Sequence, residues 1–579
     1  MRIGSFPVYD RRRMGVHISE EDRRAAAAVT TSGSGHRFEI QLGHLCNNRC
    51  VFCSSGQLTQ MKIARPVPFE PIIQALDEAR AAGAVHLTFL GGEPTIHKRF
   101  LDVLRHAVGL GFEHIVIFTN GVMFTHPGFI ESVVALGKFE WRISIQGATE
   151  EAHVATTGRA ESFQRILHGL GELQRRGQLV TTNMCVNERS YRSLPHYPEL
   201  LEHYGVRQLH VDIVRPESTG ERDEDYLRDI MPRYGDMAPY YTAMLDGFER
   251  WDPDFDVNVG NLPYCVLPAW ASRIHHGGQQ TVTKSSDSNG LEDAMNKYEW
   301  QSSLRTHLPS CDACVFRSRC TGIFRVYLEM HGGEEFQPIS REQLLALDPE
   351  RRSFVILVEP LLAPLRAAIA AGGLPEGWRV EHEVTEDRRR RIELVLAHAG
   401  GGRARLRFGA PGRAAAPVIR CGAYDVEAEA ELGVAPEALA ALLAWLHAQL
   451  AAGAEAGDAP ALADDAVDRA LRAAVLLRGR QRVAQLVARL QGRFRVPGWR
   501  LEPLRWPNET AAELGAAGPG GRRIDVRFTL GARGNRSQLG VDFGVAESDQ
   551  RLRPVVDQLI ALLRGPAPSG EPSQPAAGA

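Results

Sequence analysis

Apolar residues occur in short runs at regular intervals through the first part of the chain, with amphipathic segments between them. The runs predict strands at 37–42, 84–90, 114–119, 139–146, 179–187 and 207–214. Helical periodicity between them predicts helices at 68–82, 98–109, 161–176 and 225–248. Strands that alternate with helices indicate parallel β/α units. The pattern therefore predicts an α/β domain built from six such strands.

Beyond about residue 345 the pattern changes to an internal repeat rich in alanine, arginine and glycine. A Pro-Glu-Gly-Trp-Arg segment at 375–379 recurs as Pro-Gly-Trp-Arg at 497–500. Each copy follows an amphipathic helix (359–371 and 481–491) and precedes a strand-like run led by Arg-Arg (390–394 and 522–526) and a closing helix (434–452 and 551–564). Repetition of this kind predicts two α+β modules that bury their apolar faces on each other.

These patterns predict six segments along the chain. They are an N-terminal extension (1–36), a barrel (37–255), a cysteine-containing auxiliary region (256–345), two α+β repeats (346–457 and 458–564) and a disordered tail rich in Pro, Ser and Gly (565–579).

Composition narrows the classes of partner and the expected location. The formal net charge of −3 over 579 residues gives no reason to propose nucleic acid or a membrane as the main partner. No charged segment followed by an apolar core opens the chain, and the leucines at 439–450 form one helical stripe, which is typical of a packed helix. Nine cysteines in a chain of this size are not a disulfide framework. We therefore expect a cytoplasmic protein whose grouped cysteines bind metal.

Three cysteines directly after the first predicted strand carry the strongest chemical signal. Cys46, Cys50 and Cys53 have CxxxCxxC spacing, so a short loop can place three thiolates at three corners of a cubane iron–sulfur cluster. With no fourth cysteine nearby, one iron would keep an open coordination position, as catalytic metal sites do. The alternative is a zinc knuckle, although zinc knuckles favour paired cysteines with a second pair or histidines close behind.

A second motif follows the next predicted strand. The strand at 84–90 leads into Gly91-Gly92-Glu93-Pro94. Two glycines at a strand end allow a ligand to approach the backbone closely. By itself the segment would be an ordinary turn, but it follows the cysteine loop by about forty residues and stands at the end of the next predicted strand.

Together the cysteine loop, including Phe52, and the Gly-Gly-Glu-Pro segment resemble the radical S-adenosylmethionine (radical SAM) superfamily. The resemblance implies a partial (β/α)6 barrel in which Cys46, Cys50 and Cys53 are catalytic and hold a 4Fe–4S cluster, with SAM on its open iron. The implied cofactor contacts are Phe52, Gly91, Gly92, Glu93, Pro94, Ser144, Ile145 and Asn187. The chain departs from the family pattern at Ile143, where a glycine is usual.

A second cysteine group follows the predicted barrel. Cys311, Cys314 and Cys320 have CxxCx5C spacing, and Cys265 lies upstream. The spacing resembles the SPASM and Twitch extensions of radical SAM enzymes, but Phe324 stands where full SPASM extensions have another cysteine. The resemblance implies one auxiliary 4Fe–4S cluster held by Cys265, Cys311, Cys314 and Cys320, while CxxC is also a common zinc half-site.

The resemblance implies an enzyme that reductively cleaves SAM to a 5′-deoxyadenosyl radical, which abstracts hydrogen from a small-molecule or peptide substrate. A flavodoxin- or ferredoxin-type electron donor would be its partner. Two alternatives stay open: a peptide maturase that docks its substrate on the C-terminal repeats, and a non-catalytic iron–sulfur electron-transfer protein. Cys185, on the fifth predicted strand, is either a small buried side chain or a hydrogen-atom donor.

Overall fold

The computed structural model describes residues 36–564, with gaps at 205, 207, 216–223, 254, 277–280, 288–289, 387–389, 415, 432, 455–458, 509, 520–521, 534–535 and 545–551. The chain divides into two compact units, residues 1–356 and 357–579. The predicted tail, and all of the predicted N-terminal extension except His36, lie outside the described residues. Within the described part of the chain, no helix has the length and apolar character needed to cross a membrane.

A curved sheet forms the frame of the first unit. The strands are β1 (His36–Gln41), β2 (Ala84–Leu90), β3 (His114–Thr119), β4 (Glu140–Ser144), β5 (Leu179–Val186), β6 (Gln208–Ile213), β7 (Asp256–Gly260), β8 (Ile274–His275), β9 (Thr281–Lys284), β10 (Ser286–Asp287), β11 (Gly290–Leu291) and β12 (Met295–Asn296). Ten of them pair in the order β12-β9-β1-β2-β3-β4-β5-β6-β7-β8, while β10 and β11 form a separate hairpin. Neighbours from β1 to β8 are parallel, as is β9 with β1.

The distance along the chain between the two edges requires this sheet to curve into a barrel. β8 and β9 are eight strand positions apart in the sheet order. In a flat sheet they would be about 38 Å apart, because neighbouring strands are spaced by about 4.8 Å. The six residue steps from His275 to Thr281 can span only about 21 Å. The six predicted strands are thus present in a parallel barrel, and the sheet continues past them through β7, β8 and β9.

Helices lie between the strands, as the apolar periodicity predicts. They are α1 (Ser54–Gln60), α2 (Phe69–Ala81), α3 (Phe100–Gly109), α4 (Phe129–Val134), α5 (Glu150–Thr157), α6 (Ser162–Arg175), α7 (Tyr197–Tyr204), α8 (Glu224–Ile230) and α9 (Tyr234–Trp251). The single helix expected at 225–248 is instead two, α8 and α9. Pro232 lies between them, and proline lacks the backbone N–H that a continuing helix needs.

The barrel core is formed by apolar side chains from alternate strand positions. Leu87, Phe89, Ile117, Trp141 and Ile143 are fully buried. Each such side chain contributes about 1.5–3 kcal/mol when it leaves water. Ile143, which stands where the resembled family has glycine, therefore has a packing role. The core holds the strands rigidly, so the residues that follow each strand meet at one edge of the barrel.

Short elements after the sheet frame the second cysteine group. They are α10 (Lys297–Ser303), β13 (Arg305–Thr306), β14 (Ile323–Phe324), α11 (Arg325–His331), α12 (Arg341–Leu347) and α13 (Phe354–Val358). β13 and β14 pair antiparallel and so bring together the two ends of the segment that contains Cys311, Cys314 and Cys320. Gly322 has φ +92°, and a Cβ there would lie 2.3 Å from the Thr306 carbonyl oxygen. Only glycine fits this close approach.

The second unit contains two antiparallel sheets. Its elements are α14 (Ala363–Ala370), β15 (Trp378–Glu386), β16 (Arg391–His398), β17 (Arg403–Gly409), β18 (Ile419–Arg420), β19 (Asp425–Ala430), α15 (Pro436–Ala452), β20 (Ala461–Leu462), α16 (Ala466–Arg493), β21 (Arg500–Leu501), β22 (Arg505–Asn508), β23 (Ala511–Ala517), β24 (Arg523–Arg533), β25 (Arg536–Gly544) and α17 (Arg553–Arg564). One sheet has the order β15-β16-β17-β19-β18-β20, and the other β21-β23-β24-β25 with β22 on β23.

The two sheets share features, but the Arg-Arg pairs do not mark equivalent strands. Gly377 and Gly498, each before the tryptophan of its copy, have φ of 81° and 78°. The Arg-Arg run at 390–394 enters β16, the second strand of its sheet, whereas the run at 522–526 enters β24, which follows β23. Cross-strand ion pairs align the two sheets better. Arg407 of β17 pairs with Glu393 of β16, and Arg527 of β24 pairs with Glu513 of β23, so β16 and β17 correspond to β23 and β24.

Candidate functional site

The loop with Cys46, Cys50 and Cys53 connects β1 to α1 and is anchored by backbone hydrogen bonds. The Cys46 N–H donates to Thr59 Oγ1 at 3.1 Å. The N–H groups of Arg49 and Val51 donate to the carbonyl oxygens of Thr157 and Thr156 at 2.9 and 3.0 Å. These carbonyls belong to the last turn of α5, which has no intrahelical donors for them. The loop is therefore fastened to both α1 and α5.

The three thiols of this loop face one another closely enough to interact electrostatically. Burial raises the pKa of Cys46 to about 12, with a further contribution from Glu93. Burial also raises the pKa of Cys50, and the neighbouring Cys53 and Cys46 add to the shift. Thiolates gathered in this way repel each other unless a cation lies between them, and soft thiolate sets suit iron–sulfur clusters. The donor set thus fits a 4Fe–4S cluster.

A buried amide lies inside the same loop. Asn48 is 2% exposed, and its Oδ1 has no hydrogen-bond partner among the described residues. Its N–H lies 3.4 Å from Cys46 Sγ. Buried polar atoms are nearly always paired in folded proteins. The orphaned oxygen is therefore consistent with a loop that closes around a bound group.

The Gly91-Gly92-Glu93 segment holds the cysteine loop, which is a role that the motif alone does not reveal. The Gly92 N–H donates to Gly43 O at 2.7 Å and the Glu93 N–H to Leu45 O at 2.8 Å. A Cβ on Gly92 would lie 2.3 Å from the Leu45 carbonyl oxygen, and one on Gly91, at φ +147°, 2.8 Å from the Gly43 carbonyl oxygen. The space that the glycines leave open is thus occupied by the start of the loop.

Glu93 lies where the Gly91-Gly92-Glu93 segment contacts the cysteine loop, and its carboxylate accepts several hydrogen bonds. One carboxylate oxygen accepts from the Thr95 N–H at 3.1 Å, the Thr95 hydroxyl at 2.5 Å and the Thr119 hydroxyl at 2.8 Å. The other accepts from the Asn120 N–H at 2.7 Å. Burial raises the pKa of Glu93 although these hydrogen bonds oppose the shift. Glu93 therefore joins the ends of β2 and β3 beneath the cysteine loop.

The remaining predicted cofactor contacts occupy different environments. Pro94 is buried directly after Glu93, and Phe52 is half-buried in the cysteine loop. The Ser144 hydroxyl donates to Asn183 Oδ1 at 3.1 Å, and Ile145 is fully buried with its carbonyl accepting from Tyr197 at 2.6 Å. Asn187 is buried too, and its amide bonds Cys185 O and the Arg189 N–H within its own turn. Their roles toward a cofactor stay predictions.

A polar cluster at the ends of β5, β6 and β7 adds residues that the motifs did not reveal. Cys185 is opposite Asp212 in the β5–β6 register. Asn261, at φ 65°, donates from Nδ2 to Asp212 Oδ1 at 2.6 Å. Burial raises the pKa of Cys185, and Asp212 adds to the shift. The sequence could have suggested these residues, because they follow or end predicted parallel strands. It does not show in which direction their side chains point.

Charges around Asp212 favour its ionised form inside the barrel. Burial opposes ionisation, but the charges of Arg215 and His210 and the hydrogen bond from Asn261 outweigh it and lower the pKa of Asp212. The nearby Tyr241 is fully buried, and its hydroxyl has no hydrogen-bond partner among the described residues. The cluster thus combines a carboxylate, a thiol and an unsatisfied hydroxyl within range of the first cysteine loop.

The four cysteines of the second group line one cavity. Cys265, Cys311, Cys314 and Cys320 surround it, together with His307. Burial raises the pKa of Cys265 to about 12, with contributions from all three other cysteines. Within the described ranges, no group of three or more His, Cys, Asp or Glu side chains is arranged to hold a single metal ion.

Backbone N–H groups point at two of these sulfurs. The Gly322 N–H lies 3.4 Å from Cys320 Sγ, and the Ile339 N–H 3.4 Å from Cys314 Sγ. Hydrogen bonds of this type orient thiolate ligands and tune the metal that they hold.

One buried arginine connects the second cysteine group to the barrel cluster. Arg305 donates from Nη1 to Thr321 Oγ1 at 2.7 Å, and from Nη2 to Asn261 Oδ1. Thr321 directly follows Cys320, and Asn261 bonds Asp212. Hydrogen bonds therefore connect Thr321, the residue bonded covalently to Cys320, to the carboxylate beside Cys185.

The fold and site define a parallel β/α barrel with a three-cysteine loop at the carboxyl ends of its strands. Residues 40–189 match the family described as the Radical SAM superfamily. Residues 40–189 therefore form a radical SAM domain, and such a domain implies a 4Fe–4S cluster and SAM as cofactors. The domain accounts for the cysteine loop and the Gly-Gly-Glu-Pro segment, while the second cysteine group and the C-terminal unit lie outside the match.

Relatives of this chain share the same region. It is 27% identical over 198 residues to an AdoMet-dependent heme synthase of Methanosarcina barkeri, covering 34% of this chain and 55% of that protein. It is 26% identical over 196 residues to a probable GTP 3′,8-cyclase of Saccharolobus islandicus, covering 33% and 62%. The chain thus spans little more than half the length of these curated relatives. A crystal structure of Streptococcus suis SuiB bound to S-adenosylmethionine aligns with a TM-score of 0.39 and 14% identity, over 55% of this chain and 80% of that one.

Proposed function

We propose that this protein is a radical SAM enzyme acting on a small-molecule or peptide substrate. Cys46, Cys50 and Cys53 would hold the 4Fe–4S cluster. One observation carries the proposal: the three thiols lie close together in a loop that is hydrogen-bonded to Gly92 and Glu93 at the end of β2. When bound, the cluster and SAM supply a one-electron cleavage that yields methionine and a 5′-deoxyadenosyl radical for hydrogen abstraction.

The chain's own residues position the cofactors and exclude water. Gly92 and Glu93 fix the start of the cysteine loop through backbone hydrogen bonds, and α5 fixes its middle. Glu93 places a buried carboxyl group at the strand end where the methionyl amino group of SAM is expected. Ser144, Ile145 and Asn187 stay predicted contacts for the rest of SAM. Buried, fixed dipoles of this kind lower the reorganisation that accompanies reaction.

The substrate would bind at the ends of β5, β6 and β7. Cys185, Asp212 and Tyr241 lie close enough to interact electrostatically in this region, and Cys53 lies within the same range of Cys185. Because the Tyr241 hydroxyl is buried and has no partner among the described residues, a polar group of the substrate would satisfy it. Asp212 would accept a hydrogen bond from an amide, amine or hydroxyl of the substrate.

We infer that the second cysteine group holds an auxiliary 4Fe–4S cluster. Cys265, Cys311, Cys314 and Cys320 line one cavity, and two of their sulfurs lie near backbone N–H groups. Four cysteines are the usual ligand set of a 4Fe–4S cluster, although zinc takes the same set in structural sites. Hydrogen bonds of Arg305 connect Thr321, which follows Cys320, to the proposed substrate region.

The test is anaerobic reconstitution of the full chain, followed by iron and sulfide analysis and dithionite-driven SAM cleavage. We expect about eight irons per chain, because each cubane holds four, and formation of 5′-deoxyadenosine. About four irons with turnover, together with bound zinc, would remove the auxiliary cluster and keep the radical chemistry. A fully loaded protein that forms no 5′-deoxyadenosine would contradict the proposed function and favour electron transfer.

A further inference from the structure

The long helix α16 of the second unit carries a high density of basic side chains. Residues 469–501 include nine arginines and no lysine, aspartate or glutamate, although the whole chain has a formal net charge of −3. We define the arginine stripe as four exposed residues of this helix, Arg478, Arg482, Arg489 and Arg493. A local surplus of one charge attracts partners of the opposite charge even when the whole protein is nearly neutral.

The four side chains lie on one face of the helix. The later three follow Arg478 by 4, 11 and 15 residues. At about 100° and about 1.5 Å per residue, they fall within about 60° of one another around the axis and form a row about 22 Å long. A different face of the same turns is buried in the core through Val483, Val487, Leu490 and Phe494. The backbone that carries the arginine stripe is therefore held in place by packing.

The arginine stripe has no carboxylate partners, unlike several helical arginines elsewhere in the chain. Arg165 pairs with Glu161 at 2.5 Å, and Arg469, near the start of α16, pairs with Asp465 at 2.6 Å. In the part of the chain that the structure describes, no aspartate or glutamate pairs with the arginine stripe. Like charges four residues apart destabilise a helix, and the arginine stripe contains two such pairs. The arrangement therefore does not serve the stability of α16, and we infer that it serves binding.

The surroundings of the arginine stripe distinguish among anionic partners. A helix that lies on a membrane inserts an apolar face, but none of the exposed large apolar side chains of the described residues lies between 466 and 505. Single-stranded nucleic acids stack their bases on open aromatic rings. Trp499 packs against the core, and the Trp506 ring is covered by Arg480, whose Cζ lies 4.5 Å from the ring centroid. The surface thus offers charge without an apolar or aromatic component.

Carboxylates match this surface in shape as well as in charge. A guanidinium presents parallel N–H groups to the two oxygens of a carboxylate, whereas an ammonium acts as a point charge. Every basic residue of 469–501 is an arginine. An extended polypeptide advances about 3.3 Å per residue, so a segment of about seven residues can place several acidic side chains along the row.

We propose that the arginine stripe docks a carboxylate-rich segment of a peptide substrate. This inference rests on the proposed function and narrows its substrate to a polypeptide. Docking consists of ion pairs and hydrogen bonds, so no bond is made or broken. The docked segment is separate from the part of the peptide that reacts.

The first test measures binding to the full chain without SAM. The probe is a fluorescein-labelled peptide of eight residues with four glutamates, followed by fluorescence anisotropy. Arg482→Gln combined with Arg489→Gln should weaken binding about tenfold at low salt and make its salt dependence shallower, because fewer charges are paired. Arg105→Gln combined with Arg165→Gln is the matched control. It removes the same charge from helical arginines that pair with Asp102 and Glu161, and it should bind as the wild type does.

Further measurements separate the alternatives. The stripe variant should keep the wild-type thermal midpoint and the wild-type rate of dithionite-driven 5′-deoxyadenosine formation, because the replaced side chains are exposed. Equal peptide affinity for this variant and the wild type would overturn the docking site. Tighter binding of a labelled single-stranded RNA of eight nucleotides, or of phosphatidylserine vesicles, weakened by the same substitutions, would overturn the peptide as occupant. A chain that binds the peptide through the arginine stripe but forms no 5′-deoxyadenosine would refute the proposed function and leave the docking site in place.

Discussion

Replacing Gly92 with alanine tests the finding that the Gly-Gly-Glu segment holds the cysteine loop. The added Cβ would lie 2.3 Å from the Leu45 carbonyl oxygen and 2.5 Å from that of His44. Both are backbone atoms, so no side-chain rotation relieves the contact. Ordinary contact begins near 3.4 Å, and the loop backbone would therefore have to shift by about 1 Å.

The cost can be worked from these contacts. Overpacking of this type costs about 1–3 kcal/mol. The shift would also weaken the hydrogen bonds from the Gly92 and Glu93 N–H groups, each worth about 1 kcal/mol. The total destabilisation is about 2–5 kcal/mol. The protein can relieve this destabilisation by displacing the cysteine loop. A cost of about 2 kcal/mol already lowers the population of the correctly placed loop about 30-fold, because 1.4 kcal/mol corresponds to a factor of ten.

The assay is iron and sulfide content after anaerobic reconstitution, together with 5′-deoxyadenosine formation and the thermal midpoint. We expect Gly92→Ala to lose iron at the first cluster and SAM cleavage, with a smaller loss of thermal stability. Gly109→Ala is the control, since nothing lies within 4 Å of a Cβ at that position in α3. A Gly92→Ala protein with normal iron content and SAM cleavage would refute the structural role assigned to the glycine.

Three further outcomes are expected. Cys50→Ala should abolish 5′-deoxyadenosine formation, whereas Cys314→Ala should retain the iron of the first site and lose only that of the second; SAM cleavage by Cys50→Ala would contradict the cluster assignment. Glu93→Gln should lower stability by about 1–3 kcal/mol in thermal denaturation, because an amide nitrogen must face the Asn120 N–H or the threonine donors; an unchanged midpoint would show that the hydrogen bonds contribute nothing net. Burial lowers the pKa of His153 from 6.5 to about 4, so the folded state resists protonation and about 3 kcal/mol of stability should be lost as the pH falls from 6.5 to 4. Chemical denaturation across that range should show this loss, and His153→Asn should remove it.

Local pattern was sufficient to predict the barrel strands. The predicted strand at 84–90 and that at 114–119 match β2 and β3, because buried parallel strands are continuous apolar runs and need little tertiary information to be recognised. The helix break at Pro232 was also readable from a single residue, although periodicity alone joined α8 and α9. The second unit was harder to predict, since the Arg-Arg pairs repeat in sequence but lie on strands at different sheet positions.

The sequence by itself determined the β/α order of the first unit, the three thiols of the cysteine loop and the radical SAM resemblance, because these depend on residue type and spacing along the chain. Only the tertiary structure revealed that Gly92 makes room for the Leu45 carbonyl and that Asp212 lies between Cys185 and Asn261. It also brought Cys265 into the cavity of the later cysteines and joined Thr321, which follows Cys320, to Asn261 through Arg305. These contacts connect residues far apart in the chain, and their geometry depends on strand register and backbone curvature, which no local pattern specifies.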